Sequence, residues 1–222
     1  MMGGRLNGIK QSTIIDLTKP LDTSFTPYSK GSYSDPPLKL TEWSSISEEG
    51  FRVSGLFLGT QSGTHIDAPA HFLEEGAMLE ALPSDQLIGD YFLLDLHCTA
   101  SLSDVVELLK TYHDEKILFL RTPDNQPARI SGEAMRKILS LSPLLLVLAG
   151  VIEIENSEPF TFNRLIAMAA KFLVEDLDPK EAYGISGNGE MFVFPLRLIG
   201  VSGSPCRVMV RVPETKTTRH PV

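Results

Sequence analysis

The strongest constraint on how this chain can fold is its punctuation. Apolar runs rich in β-branched residues, each too short for a core helix, recur along the length and are closed off by Gly, Pro, Asp or Ser. They are Thr13–Leu17, Val53–Leu58, Tyr91–Leu96, Ile117–Leu120, Leu144–Leu148, Phe192–Leu198 and Arg207–Val212. Runs of about four to eight such residues between turn formers read as strands, and those without polar alternation as strands buried on both faces. Helical spacing appears in three places. Ser103–His113 sets Val106, Leu109 and Tyr112 on one stripe behind a Ser103 or Asp104 cap. Ile130–Leu139 turns Met135, Ile138 and Leu139 inward behind Ser131, and Arg164–Leu173 carries Leu165, Met168, Ala169 and Phe172. Strands that outnumber the helices lying between some of them imply an α+β (mixed α/β) fold with a β-dominated core. No Pro/Gly/Ser-rich linker divides the 222 residues, so one domain is expected over 1–222, with a core of about 13–212 and a frayed polar end from Glu214 to Val222.

Composition narrows the partners. Hydrophobic residues make up 42% and charged residues 22%, enough apolar material to bury a core and exclude disorder over most of the length. The net charge is −8 and Lys and Arg are scattered, so there is no footprint for nucleic acid or an anionic membrane, and a small-molecule substrate is the expected partner. Cys98 and Cys206 lack metal or redox spacing and read as reduced core residues. No segment has signal-peptide or membrane-span length; the longest apolar run, Leu144–Ile152, is broken by Gly150. A cytoplasmic location is the expectation.

Chemistry concentrates in Gly59-Thr60-Gln61-Ser62-Gly63-Thr64-His65-Ile66-Asp67-Ala68-Pro69-Ala70-His71. On an extended chain Gln61, Gly63, His65 and Asp67 project to one face, and Gly63 leaves a gap where an ion or substrate atom could sit. Pro69 turns the chain, which lets His71 return toward the same pocket as a general acid or base. A bare His-x-Asp pair is more often a turn and hydrogen-bond feature than a site. The longer string, with two imidazoles and a carboxylate, is far more restrictive.

GTHIDAPAH resembles the signature HxGTHxDxPxH of the cyclase family, which includes kynurenine formamidase and isatin hydrolase. Further segments agree in order from Ile15 to Val212. Ile15-Asp16-Leu17-Thr18 is similar to the family's DIS/DLT start, Leu118-Phe119-Leu120-Arg121-Thr122 to its LIRT strand and Val174-Glu175-Asp176-Leu177 to its VENL turn. Pro195-Leu196-Arg197-Leu198 with Gly203-Ser204-Pro205-Cys206-Arg207 is similar to its closing segment. The resemblance implies a swivelling β/β/α-like fold, a homodimer or homotetramer, and a divalent metal that activates water to open an amide. Carried over by residue, it makes His65, Asp67 and Glu175 metal ligands and His71 the acid/base. Two positions depart from it: Gln61 and Asn163 stand where the family has histidines. An amide is a poorer ligand than imidazole, so the remaining set, with the Gln61 oxygen as a further donor, favours one ion rather than two: zinc or manganese, with magnesium also compatible.

Other residues carry less. Trp43, in a polar segment, reads as a cap on the substrate pocket, a contact with a neighbouring subunit or an ordinary half-buried tryptophan; it and Asn163 are the candidate substrate contacts. Glu153 and Glu155, at a strand end, read as solvated. His97, His113 and His220 lack ligand-spaced partners and read as core-edge, helix-end and tail residues, and Gly184–Gly189 reads as a mobile loop near Glu175. The expected function is metal-dependent hydrolysis of an amide, N-formyl or cyclic imide/lactam bond. The alternatives are a family member that has lost catalysis and binds a small molecule or acts as a scaffold, and a metal-bound lyase or dehydratase.

Overall fold

The computed structural model describes residues 12–123 and 126–213. In chain order its strands are β1 (Ser12–Asp16), β2 (Ser29–Lys30), β3 (Tyr33–Ser34), β4 (Lys39–Ser44), β5 (Val53–Phe57), β6 (His65–Asp67), β7 (Ile88–Asp95), β8 (Thr99–Ala100), β9 (Ile117–Arg121), β10 (Ala128–Ile130), β11 (Leu145–Ala149), β12 (Ile152–Ile154), β13 (Phe172–Glu175), β14 (Gly189–Pro195) and β15 (Gly203–Pro213). The helices are α1 (Ile46–Glu49), α2 (Leu102–Leu108), α3 (Gly132–Leu139), α4 (Thr161–Met168) and α5 (Pro179–Tyr183).

Eight strands form one sheet in the order β1-β15-β14-β7-β9-β11-β13-β6. β6 also pairs with β15, so the sheet closes on itself with β1 attached outside the seam. The run β7-β9-β11-β13 is parallel and the remaining pairs are antiparallel. Strand alternation separates two cores. Ile117, Phe119, Leu145, Val147, Val174 and Val208 point into the ring, while Leu118, Leu120, Leu146, Leu148 and Leu173 point outward against Val105 of α2, Met135 and Ile138 of α3, and Phe162 and Ile166 of α4. This is why the β9 and β11 runs lack polar alternation: both faces are covered, as in parallel sheets generally. A parallel three-stranded sheet, β12-β10-β8, lies apart from the ring.

Several boundaries differ from the sequence reading. The helix expected over Arg164–Leu173 ends at Met168; Ala170 takes a left-handed φ of 53° and Phe172 and Leu173 start β13 instead. Two apolar residues in succession fit a strand covered on both faces as well as a helix stripe, and tertiary pairing decides. The helix expected over Ser103–His113 starts at Leu102 under a capping box of Ser101 and Asp104, and loosens to a 3-10 turn at Leu109–Thr111. Ser131 does cap α3, but Ile130 belongs to β10. Val53–Leu58 is a strand, yet an exposed one. Cys206 is a free buried thiol as expected, whereas Cys98 is free but exposed, its Sγ 3.1 Å from Gln126 Oε1. His97 and His113 are exposed, and His220 and the Glu214–Val222 end lie outside the described residues. Asn188 Oδ1 accepts from Leu93 N at 2.9 Å, so the Gly184–Gly189 loop is tied to β7. No helix among the described residues is long and apolar enough to cross a membrane.

Ile66 is fully buried inside the ring at the strand that closes it. Ile66→Ala should lower unfolding stability by about 2–5 kcal/mol, read from urea denaturation, with the cost set by how far the ring can collapse around the void.

Candidate active site

β6 is three residues long and bonded on both edges. His65 pairs with Glu175 on one side and Pro205 on the other; Asp67 pairs with Leu173 and Gly203. Residues two apart share a face, so Ile66 and Val174 fill the ring interior while His65, Asp67 and Glu175 emerge together on the outer face. One ligand atom from each of the three lies within 4.8 Å of the others.

The extended stretch does not reach back past His65. Gly63 has a φ of 62°, and the space beside it is filled: a Cβ there would sit 2.6 Å from Leu21 Cδ2. The expected gap at Gly63 is therefore absent, and this glycine serves a turn and a close approach. That turn has a chemical consequence. Gly63 O lies 2.8 Å from His65 Nδ1, and a carbonyl can only accept, so Nδ1 carries the proton and Nε2 offers its lone pair 3.6 Å from Asp67 Oδ1. Burial pushes the His65 pKa down, which keeps the ring neutral. Thr64 clips the neighbourhood together: its Oγ1 donates to Asp176 O at 2.7 Å and accepts from Lys19 N at 2.9 Å.

The two carboxylates are held against their preference. Burial, and then the Glu175 charge, raises the Asp67 pKa well above the ordinary range, and burial pushes Glu175 up to about 7. Asn163, on α4, donates from Nδ2 to Glu175 Oε2 at 2.9 Å and partly offsets that shift. Asp67 Oδ1 is buried without a hydrogen-bond partner among the described residues. A solitary buried acceptor beside a second carboxylate is costly unless a cation satisfies it. One imidazole nitrogen and two carboxylates form a donor set that suits a divalent ion.

Gln61, His71 and Asn163 line the same cavity as the three, about 1070 Å³ in volume. Gln61 Oε1 accepts from Thr60 Oγ1 at 2.6 Å, and its Nε2 donates to Ser202 Oγ at 3.4 Å. Gly203 makes room for this amide: a Cβ there would fall 2.5 Å from Gln61 Nε2 and 3.3 Å from Asp67 Oδ1. His71 ends a 3-10 turn begun by Pro69, is exposed, and stacks edge-on against Phe72 with centroids 4.6 Å apart. Burial on its cavity side, followed by the nearby His65, lowers its pKa.

Trp43 does not line the cavity; it is 80% exposed on β4. Glu153 is also elsewhere, paired with Arg129 at 3.0 Å, and no residue of the Gly184–Gly189 loop reaches the cavity wall. The sequence reading missed the aromatic mouth of the cavity. Tyr28 meets Phe160 edge-on at 6.0 Å, Phe72 lies 6.1 Å from Phe160, and Lys30 Nζ sits 5.5 Å over the Phe160 ring. Phe160 holds a left-handed φ of 62°, a conformation a bulky residue adopts only when its surroundings impose it. None of these side chains lies in a periodic segment, so no pattern announced them.

The family described as "Putative cyclase" matches residues 15–144, more than half of the chain. A kynurenine formamidase of Bacillus mycoides (strain KBAB4) is 24% identical over 215 residues, covering 91% of this chain and 99% of the relative. Among solved structures, isatin hydrolase A from Labrenzia aggregata, bound to benzyl benzoate, superposes with a TM-score of 0.77 at 16% identity, covering 91% of this chain and 94% of that one. A structure described as a potential metal-dependent hydrolase with cyclase activity superposes with a TM-score of 0.70 at 21% identity, covering 92% and 100%.

Gly76 folds back onto the turn that carries His71: a Cβ there would lie 2.5 Å from both Ala70 N and Pro69 C. Backbone cannot yield as a side-chain tip can, so Gly76→Ala should cost about 1–3 kcal/mol in thermal unfolding and shift the His71 imidazole resonances in an NMR titration.

Proposed function

The chain belongs to the cyclase family, and from that membership we propose that it is a metal-dependent hydrolase opening an amide, N-formyl or cyclic imide/lactam bond. The observation that carries the proposal is the convergence of His65, Asp67 and Glu175 on one desolvated point, with a buried carboxylate oxygen that has no hydrogen-bond partner among the described residues. A single divalent ion held by these three residues, zinc or manganese with magnesium as a further candidate, would polarise the scissile carbonyl and lower the pKa of the attacking water.

The rest falls to the chain's own groups. Gly63 O fixes the His65 tautomer, and Asn163 donates to one oxygen of Glu175, which keeps that carboxylate beside Asp67 and His65. His71 is the group that moves a proton to the leaving nitrogen; its lowered pKa makes the neutral, proton-accepting form dominant near neutrality. The rings of Tyr28, Phe72 and Phe160 form an apolar mouth suited to a planar aromatic portion of the substrate. The relatives named for kynurenine formamide and isatin hydrolysis support this chemistry. A second reading, a non-catalytic small-molecule-binding or scaffold protein, draws its support from Gln61 and Asn163, whose amide nitrogens are engaged by Ser202 and Glu175 in place of two histidine ligands.

Elemental analysis of the purified protein should find about one equivalent of zinc or manganese, lost in Asp67→Ala, and added metal should raise the melting temperature of the stripped wild type. Because Glu175 must give up its proton to bind, apparent metal affinity should climb as pH rises through about 7. No metal in the isolated protein and no uptake on addition would move the assignment to the binding protein. With a substrate found by screening aryl amides and imides, His71→Ala should lower kcat by about 10²–10⁴-fold while metal content holds; unchanged turnover would remove His71 from the mechanism.

A further inference from the structure

The short hairpin β2–β3 turns four side chains toward the cavity. Tyr28 and Lys30 flank Ser29 on one side of it, Tyr33 and Asp35 flank Ser34 on the other, Lys30 pairs with Tyr33, and Asp35 N bonds back to Tyr28 O at 2.9 Å. Residues two apart share a face, so Tyr28, Lys30, Tyr33 and Asp35 project together, and all four line the cavity that holds His65, Asp67 and Glu175. The hairpin pairs only with itself among the described residues and meets the rest of the mouth at Phe160.

Two lysines line the cavity, and they differ. Lys19 Nζ is paired with Asp176. Lys30 Nζ has no carboxylate within ion-pair distance among the described residues and sits instead 5.5 Å over the face of Phe160. The acid on its own hairpin face, Asp35, accepts from the Tyr33 hydroxyl at 2.6 Å. Phe160 is a fixed platform: its carbonyl accepts from Arg164 N at 3.0 Å, and Thr161 beside it bonds to Glu158 O through both N and Oγ1. A ring face holds an exposed cation only weakly, whereas an anion offered to the same ammonium makes a stronger, charge-assisted hydrogen bond.

We propose that Lys30 is a specificity-determining residue that pairs with a negative group on the aromatic part of the substrate, so that the preferred substrate is an anionic aryl amide or imide. The rings of Tyr28, Phe72 and Phe160 take the aromatic plane, the ammonium beside them takes the anion, and the scissile bond lies toward His65, Asp67 and Glu175. A cavity of about 1070 Å³ has room for both ends. The chain as a whole carries a net charge of −8, which repels anions, so a preference for one has to come from a local cation. This inference rests on the hydrolase reading for the bond that reacts; the pairing of the anion needs no turnover.

The experiment titrates the purified protein with benzenesulfonate and with methyl phenyl sulfone by calorimetry at low ionic strength. The two ligands are close in shape and differ in charge, and a sulfonate is a poor metal ligand, so the comparison reads the cation at the mouth. The wild type should bind the sulfonate about tenfold tighter or more. Lys30→Met, which keeps the stem over Phe160 and removes the charge, should bind the two alike, and Lys30→Arg should keep the preference. Both variants should melt with the wild type, since Lys30 is exposed. Equal binding by the wild type, no binding of the sulfonate, or a preference that survives Lys30→Met overturns the proposal, the last because another charge would then carry it. Failure of the hydrolase reading looks different: the sulfonate preference stands while para-formamidobenzoate is not opened. If that amide is opened, Lys30→Met should raise its KM about tenfold and change kcat less, and an unchanged KM overturns the proposal.

Discussion

The structure depends on a three-residue wedge. His65, Ile66 and Asp67 bond to β13 along one edge and to β15 along the other, and without them the sheet would end in two unpaired edges. The same wedge sorts side chains by parity, Ile66 into the ring and His65 and Asp67 onto the outer face. Closing the fold and assembling the polar centre are thus one event. A shift of β6 by a single residue would bury the imidazole in the apolar core and expose Ile66 where the carboxylates now meet.

What the wedge brings together would otherwise separate. Asp67 and Glu175 are like charges with little water around them; burial raises both pKa values, and the Glu175 charge raises that of Asp67 further. The surrounding groups restrain without neutralising. Thr64 ties the β6 approach to Asp176 and Lys19, Asn163 holds one Glu175 oxygen, and Gly63 fixes the His65 proton. None of these bonds reaches Asp67 Oδ1, which stays without a hydrogen-bond partner among the described residues.

Much of the scaffold was legible because it follows periodicity. The β9 and β11 runs, unbroken by polar residues, are covered on both faces, and Ser131 caps α3 as its position suggested. Local pattern failed where tertiary contact decides. Phe172 and Leu173 fit a helix stripe until β11 claims them as a strand, and the Gly63 gap was filled by Leu21, forty-two residues earlier in a segment with no pattern of its own. The cluster was legible in part: His65 and Asp67 are two apart, but Glu175 lies over a hundred residues away, and only its resemblance to a known turn pointed to it. Tyr28, Phe72 and Phe160, gathered from turns, left no trace that a sequence pattern could reveal.

Gly203 links two positions that are far apart in the chain. A side chain there would meet the Gln61 amide at 2.5 Å and the Ile66 carbonyl oxygen at 2.7 Å. The amide is a flexible tip that can swing away, but the β6 backbone cannot, so shortening residue 61 would not make room at 203. In evolutionary terms 61 is the free member of the pair: a lineage can exchange the long residue there for another without disturbing the fold, while 203 stays glycine throughout.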